Sequence, residues 1–145
     1  MTFVKARLAN GTFGFTSWGV GGTYTYMDSW TAARDDDTML SSSAGGSGHY
    51  GFVVKHAGLY VAYFIAQSSG ASGSKNCAMR IMKNGASLGG NYDISGSMGA
   101  GRGAFGLSWS GTLAVSDYIQ LMGYTDAGQT LSFTDFAVCW LSGAT

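Results

Sequence analysis

The sequence predicts an all-β protein, a sandwich or barrel of short antiparallel strands. Apolar and aromatic residues alternate with small polar ones over about ten short segments, spaced roughly eight to twelve residues apart. No segment shows the 3.6-residue apolar period of a helix. The 24 glycines and the absence of proline suit short strands joined by glycine turns. At 145 residues, we expect a single domain over residues 1–145.

The longest apolar run, residues 52–66, is the strand around which the chain is organised. Its alternate side chains form two sets, Leu59, Val61, Tyr63 and Ile65 on one face and Tyr60, Ala62, Phe64 and Ala66 on the other. Both sets are apolar, whereas a strand with one face in water alternates apolar with polar residues. Either two layers of the same chain cover this strand, or one face meets the chain and the other meets a partner subunit. We favour the partner subunit, and the sequence leaves open which set faces it.

The remaining strands are placed by the same alternation. We predict them at residues 3–8, in two pieces within 12–30, and at 49–54, 59–67, 76–83, 87–94, 104–113, 118–125 and 133–141. Residues 133–141 are again apolar on both faces, so we expect them beside 59–67. Asn84-Gly85 predicts a hairpin, and Asn10-Gly11 predicts a turn. Loops are expected at the charged or glycine- and serine-rich stretches 31–40, 41–48, 68–74 and 95–103.

Composition restricts the classes of partner. Net charge is zero and only 11% of residues are charged, so we expect other copies or a larger assembly to cover part of the surface. The eight Lys and Arg are scattered, which argues against nucleic-acid binding. No apolar run is long enough for membrane insertion, and no signal peptide is evident. We therefore expect a chain made in a cytoplasm, with Cys77 and Cys139 reduced and buried inside strands.

Acidic residues are the first candidates for chemistry. Asp35, Asp36 and Asp37, with Asp28 nearby in sequence, could supply oxygen ligands to Ca²⁺. Adjacent side chains diverge, however, and the spacing fits no known ligand loop. We therefore interpret the run as a solvated loop and expect no metal site and no cofactor, although three copies at a symmetry axis could still gather a cation.

Histidine, serine and aromatic residues are the other candidates. His49 and His56 could be drawn into a Ser-His-Asp arrangement with Ser47 or Ser69, but no Gly-x-Ser-x-Gly elbow supports it. We therefore predict no enzymatic activity. A sugar-stacking platform could be formed by aromatics that escape the core, drawn from Trp18, Tyr24, Tyr26, Trp30, Tyr92 and Tyr124.

Several segments resemble the globular head of the complement family, which shares a trimeric jelly roll with tumour-necrosis-factor-like proteins. The pattern Phe52-x5-Gly58-x-Tyr60, continuing to Phe64, is similar to the second half of the family signature. The start Phe-Val-Lys-Ala-Arg-Leu, the hairpin Met-Lys-Asn-Gly at 82–85, and segments 116–121 and 133–141 resemble its strands in order and spacing. Ala62 departs from the pattern, because an aromatic is usual there.

The resemblance implies a two-sheet antiparallel jelly roll that assembles as a homotrimer. It places the two-faced strands on the subunit-facing sheet, which makes Tyr60, Tyr63, Phe64, Phe105 and Trp140 candidates for the trimer interface. A charge-poor jelly roll without a collagen stalk looks most like small virion proteins of tailed bacteriophages. We therefore expect a capsid decoration or cement protein in the virion, bound to the major capsid protein or another virion protein. The alternative is the receptor-binding head of a phage fibre, which would recognise a host surface glycan or protein.

Overall fold

The computed structural model describes residues 7–13, 19–20, 23–28, 30–71, 75–88, 93–98, 101–125 and 130–143. Side chains are described for residues 23–28, 30–32, 34–65, 78–88, 106–124 and 137–141. The strands are β1 (Arg7–Phe13), β2 (Gly19–Val20), β3 (Thr25–Tyr26), β4 (Trp30–Asp35), β5 (Leu40–Ser41), β6 (Gly51–Val53), β7 (Gly58–Ala71), β8 (Lys75–Lys83), β9 (Ala86–Ser87), β10 (Asp93–Met98), β11 (Gly101–Leu113), β12 (Tyr118–Thr125) and β13 (Thr130–Gly143). One short 3₁₀ turn, Ala44–Gly46, lies between β5 and β6.

The strands form two sheets. The five-stranded sheet has the order β11-β7-β13-β1-β4, with every neighbour antiparallel. The second sheet follows the path β10-β8-β12-β6-β5, and the short strands β2, β3 and β9 pair at its margins. The predicted all-β, two-sheet antiparallel jelly roll is therefore confirmed. So is the pairing of the two-faced segments, because β13 pairs with β7 along its length.

The core lies between the inner faces of the two sheets. Its most deeply buried side chains come from both layers and include Phe52, Tyr60, Phe64, Met79, Ile81, Leu113, Ile119 and Leu121. Trp30 joins them, and its indole Nε1 donates a 2.6 Å hydrogen bond to the Met27 carbonyl, so its polar atom is satisfied. The tilted contact of Trp30 with Phe64, at 6.2 Å between ring centres, links β4 to β7 on the inner face of the five-stranded sheet. Its 5.1 Å contact with Phe52 of β6 crosses the core to the second sheet.

Several loop predictions are wrong. The stretch 31–40 contains β4, the edge strand of the five-stranded sheet, and edge strands accept charged residues. Asn10-Gly11 lies inside β1, where the register against β4 shifts, so the glycine accommodates a bulge instead of a turn. The stretches 68–74 and 95–103 lie largely in β7, β10 and β11, which run further than their apolar cores. The Asn84-Gly85 hairpin is confirmed, with positive φ at both residues.

Residues 41–50 fold against the outer face of the second sheet. Ala44 is fully buried there, and Gly45 lies against the Tyr118 ring so closely that a Cβ would come within 2.2 Å of it. Gly51 is equally constrained, since a Cβ would lie 2.6 Å from the Ile119 carbonyl oxygen. The segment is therefore packed in place and positions His49 on this face.

Asp117 joins the Asn84-Gly85 hairpin to the turn before β12. Its carboxylate accepts hydrogen bonds from the Asn84 amide at 2.7 Å and the Ala114 backbone N–H at 2.9 Å, and Lys83 Nζ lies 3.1 Å away. Burial alone would raise the pKa of Asp117, but these donors together outweigh it and lower the pKa. The charged Asp117 carboxylate therefore has a structural role, in that it links the hairpin to the turn before β12.

Candidate functional site: the outer face of the five-stranded sheet

The outer face of β7 is apolar and open in the single chain. Tyr60, Ala62 and Phe64 are wholly buried, whereas Leu59 and Tyr63 of the alternate set are 39% and 42% exposed. The set that faces the core is therefore that of Tyr60, and the set that faces outward is that of Tyr63. The sequence left this choice open because both sets are apolar.

The flanking strands extend this face. β13 contributes Ala137 and Cys139, which pair with Tyr63 and Val61, and then Leu141, which is 43% exposed. We call Leu59, Tyr63 and Leu141 the apolar ridge. Of the four large hydrophobic side chains that are exposed among the described residues, these are three, and the fourth is Val115, in the turn before β12.

On the other side of β7, β11 presents small side chains outward. Gly106, Ser108 and Ser110 are all exposed. A depression of about 400 Å³ lies here, lined by Val61, Ser108, Trp109 and Ser110, and we call it the hollow. The outward-facing residues of β7, β11 and β13 whose side chains are described carry no charge. The face therefore combines a projecting apolar part and a recessed, weakly polar part.

The predicted interface residues divide between the core and the surface. Tyr60 and Phe64 are corrections, because both are 0% exposed within the single chain and cannot reach a neighbour. The Tyr60 hydroxyl is satisfied inside, by donating a 2.7 Å hydrogen bond to the His56 carbonyl. Tyr63 lies on the open face. Trp140 is half-buried at the end of the core, where its Nε1 donates to the Ala57 carbonyl at 3.3 Å. The Phe105 side chain lies outside the described residues.

The three consecutive aspartates do not converge on a common point. Asp35 accepts backbone hydrogen bonds from Met39 and Leu40, both at 2.8 Å, and so caps the turn after β4. Asp36 pairs with Arg34 through two 2.7 Å contacts, and Asp37 lies 3.6 Å from Nε2 of His56. The described residues include no group of three or more His, Cys, Asp or Glu that could hold a metal ion.

His49 forms a pair with Asp28, but among the described side chains no serine or cysteine is hydrogen-bonded to the His49 ring. Nδ1 of His49 lies 2.9 Å from the Asp28 carboxylate, and the ring stacks on Tyr26 at 4.2 Å. The Ser47 hydroxyl donates to the Ala44 carbonyl at 2.8 Å, and it accepts a hydrogen bond from the His49 backbone N–H at 3.2 Å. Its proton is therefore directed to a carbonyl instead of a base, as in a structural turn. The side chain of Ser69 is not among those described.

The outer face of the second sheet carries half-buried aromatic residues. Tyr24 and Tyr124 meet edge to face at 4.9 Å, and the Arg80 guanidinium lies 3.6 Å from the centre of the Tyr24 ring. Tyr26 lies beside them, stacked on His49. We call Tyr24, Tyr26 and Tyr124 the tyrosine patch. Of the other predicted stacking residues, Trp30 is in the core, and Trp18 and Tyr92 lie outside the described residues.

Cys139 is a free thiol, half-buried on the outer face of the five-stranded sheet. Burial raises its pKa, which keeps it protonated at neutral pH. The prediction of a reduced Cys139 is confirmed, but its full burial is wrong for the single chain. The Cys77 side chain lies outside the described residues, although its backbone belongs to β8 in the other sheet. None of the described residues forms a helix that could span a bilayer.

Comparison with known proteins shows the fold. No protein-family model matches the chain, and no curated protein matches it either. Among solved structures, murine APRIL at pH 8.0 matches with a TM-score of 0.63 and 13% identity, over 94% of this chain and all of that one. The globular domain of zebrafish complement 1qA protein matches with a TM-score of 0.54 and 14% identity, over 95% and 99% of the two chains. The chain therefore has the tumour-necrosis-factor-like jelly roll that the sequence resemblance implied.

Proposed function

We propose that this chain is a non-enzymatic structural protein that assembles as a homotrimer through the outer face of its five-stranded sheet. The observation that carries the proposal is the clustering of Leu59, Tyr63 and Leu141, each about two-fifths exposed, on a sheet face whose described outward residues on β7, β11 and β13 carry no charge. Exposed apolar residues scattered singly are normal, but a contiguous group marks a contact surface. The resemblance to trimeric jelly rolls supports three copies, because the same sheet is the subunit-facing one there.

Burial of the apolar ridge would stabilise association. Burying an aromatic side chain removes about 150–250 Å² from water, at roughly 25 cal/mol per Å². Since about two-fifths of each ridge side chain is exposed, each contributes roughly 1.5–2.5 kcal/mol on burial. A stable contact buries about 800 Å² per partner, so other residues of the face must contribute to it as well. With net charge zero, no long-range repulsion opposes the contact. Association by burial of this face needs neither a cofactor nor a catalytic residue.

The test of the trimer uses two matched substitutions. Leu141→Asp places a charge in the ridge, so we expect light scattering to show monomers. The circular dichroism spectrum should match that of the wild type, because the fold is unchanged. Val115→Asp is the control, since Val115 is 59% exposed but lies in the turn between β11 and β12, outside the ridge strands β7 and β13. We expect this variant to remain a trimer. Loss of the trimer in both variants, or in neither, would count against the ridge as the contact surface.

The proposed setting is the virion of a tailed bacteriophage, with the trimer as a capsid decoration protein on the major capsid protein. Two features support this role. The composition is poor in charge, and a jelly roll can perform the role through surface contact alone. The test is to mix the purified trimer with capsids assembled from the capsid protein encoded beside its gene. Co-sedimentation at a stoichiometry of one trimer per symmetric capsid site is expected. A capsid that leaves the protein in the supernatant would contradict the decoration role.

The alternative is a receptor-binding head, and the tyrosine patch favours it. Half-buried tyrosine rings beside a His49–Asp28 pair offer both stacking and hydrogen-bonding groups, the combination that carbohydrates require. Binding of the purified protein to host cells, reduced by Tyr26→Ala but not by Val115→Asp, would favour recognition. Co-sedimentation with capsids and no cell binding would favour decoration.

A further inference from the structure

Two Asn-Gly dipeptides occur in the sequence, and the structure places them in different surroundings. Asn84-Gly85 forms the exposed two-residue turn between β8 and β9, with φ of 52° and 79°. Asn10-Gly11 lies inside β1, which pairs with β13 on one side and with β4 on the other. The exposed turn therefore allows a chemical change of asparagine that the paired strand opposes.

Asparagine followed by glycine is prone to deamidation, because glycine has no Cβ to shield its backbone nitrogen. In this reaction the deprotonated nitrogen of Gly85 attacks Cγ of Asn84. The new N–Cγ bond closes a succinimide ring, and the side-chain amide nitrogen leaves as ammonia. Water then opens the ring to give aspartate or isoaspartate. No enzyme or oxidant is required, but the side-chain amide must be free to turn towards the Gly85 nitrogen.

In the folded chain, hydrogen bonds hold the Asn84 amide. Its Nδ2 donates to the Asp117 carboxylate at 2.7 Å, and its Oδ1 accepts from the Tyr118 backbone N–H at 2.9 Å. The Asn84 backbone N–H also donates to the Tyr118 carbonyl at 3.0 Å. Burial opposes the charge of Asp117, but its hydrogen-bond donors and Lys83 lower its pKa, so the carboxylate is charged at neutral pH. A charged acceptor makes the stronger kind of hydrogen bond.

We infer that Asn84 is a gated deamidation site, held in the amide form by its hydrogen bonds to Asp117 and Tyr118. Opening of this contact frees the amide for attack, and the product cannot restore the contact. Aspartate has no side-chain N–H to donate and places a second carboxylate beside Asp117, while Lys83, 3.1 Å from Asp117, can balance only one of the two charges. Isoaspartate also lengthens the backbone of the turn.

Deamidation therefore makes a transient opening of the hairpin permanent. The inference goes beyond the proposed assembly and does not rest on it, because every contact involved lies within one chain. It gives Asp117 a chemical role in addition to its structural one, since it protects a neighbouring residue from modification.

The first test measures deamidation by peptide mapping with mass spectrometry after incubation at mildly alkaline pH. In the folded wild type, Asn84 should react far more slowly than in the chain unfolded by urea. Asp117→Ala should raise the rate at Asn84 by about tenfold or more, because the loss of one hydrogen bond to a charged group shifts an opening equilibrium by about that factor. Asn10 is the internal control and should keep its rate. Equal rates at Asn84 in the wild type and in Asp117→Ala would overturn the gate.

A matched control separates the lost contact from a general loss of stability. Phe64→Ala weakens the core side of the five-stranded sheet, whereas the hairpin belongs to the second sheet. We expect Asn84 to stay slow in this variant at a temperature where thermal unfolding shows every variant to be folded. An acceleration as large as that in Asp117→Ala would assign the protection to global folding and contradict the inference.

The second test makes the product directly. Asn84→Asp should lower the melting temperature at neutral pH. Adding Asp117→Asn should recover most of the loss, because an amide and a carboxylate again face each other with their positions exchanged. A melting temperature that is unchanged in Asn84→Asp, or that is not recovered in the double variant, would show that the product carboxylate does not open the contact.

Discussion

Two neighbouring aromatic residues of β7 should respond in opposite ways to the same truncation. Phe64 is 0% exposed and lies 6.2 Å from Trp30 between ring centres, whereas Tyr63 is 42% exposed on the outer face. Phe64→Ala leaves a cavity between the sheets, and such losses cost about 3–5 kcal/mol. For a chain of this size each kcal/mol lowers the melting temperature by roughly 2–4 °C, so a drop on the order of 10 °C is expected.

Tyr63→Ala should instead act on assembly. In the single chain this substitution removes a surface side chain, which changes folding stability by about 0.5 kcal/mol or less. Assembly adds stability that depends on chain concentration, so a variant that cannot assemble should lose that dependence. Thermal unfolding at two chain concentrations, with light scattering of the same samples, measures both effects.

The reasoning is refuted if the two variants exchange their behaviour. A Tyr63→Ala protein that remains a trimer and unfolds at a sharply lower temperature would place Tyr63 in the core. A Phe64→Ala protein of unchanged stability that becomes a monomer would place Phe64 at the interface. Either outcome would reverse the orientation of β7.

Three further predictions concern other parts of the chain. Gly51→Ala should lower the free energy of unfolding by about 1–3 kcal/mol, since its Cβ would lie 2.6 Å from the Ile119 carbonyl oxygen. Asp117 should stabilise the fold above its unfolded pKa of about 3.9, and this contribution should disappear as pH falls through its lowered folded pKa. Cys139 should react slowly with an alkylating reagent, because burial raises its pKa, and faster once Leu141→Asp opens the face.

Each of these has a control. Gly46→Ala is the control for Gly51→Ala, because a Cβ at Gly46 meets open space and the substitution tests only backbone strain at φ +74°. A larger loss of unfolding free energy for Gly46→Ala than for Gly51→Ala would contradict the close-packing account. Asp117→Asn should flatten the acid limb of the stability curve, and an unchanged limb would assign it to other carboxylates. Equal alkylation rates of Cys139 in the wild type and the Leu141→Asp variant would show that nothing covers the thiol.

The sequence was sufficient for the fold class and for the pairing of the two central strands. The fold class follows from period-two alternation and from turn chemistry such as Asn84-Gly85. The pairing follows from the apolar residues on both faces of the two strands. The orientation of β7 was not predictable, because both of its faces are apolar and no polar residue distinguishes them. The polar atom that could have helped, the Tyr60 hydroxyl, is satisfied by the His56 carbonyl four residues earlier, which sequence does not reveal.

The other features that the sequence did not predict share one cause, because each depends on pairing between distant parts of the chain. The charged β4 is a strand only because β1 provides an edge for it. The tyrosine patch exists because the two-residue strand β3 pairs with β12, about a hundred residues away. The hollow could not be predicted from the sequence, because Ser108 and Ser110 resemble ordinary solvent-facing residues of a strand until the position of the neighbouring ridge is known.

The account depends most directly on the mass of the wild-type protein in solution. Size-exclusion chromatography with light scattering at micromolar and higher concentrations should give three times the chain mass of 15.1 kDa. Dilution should lower this mass towards one chain, with no stable two-chain species, because a three-fold ring is complete only with three copies. A well-folded protein with the mass of a single chain at every concentration would contradict the assembly, and with it the function proposed for the apolar face.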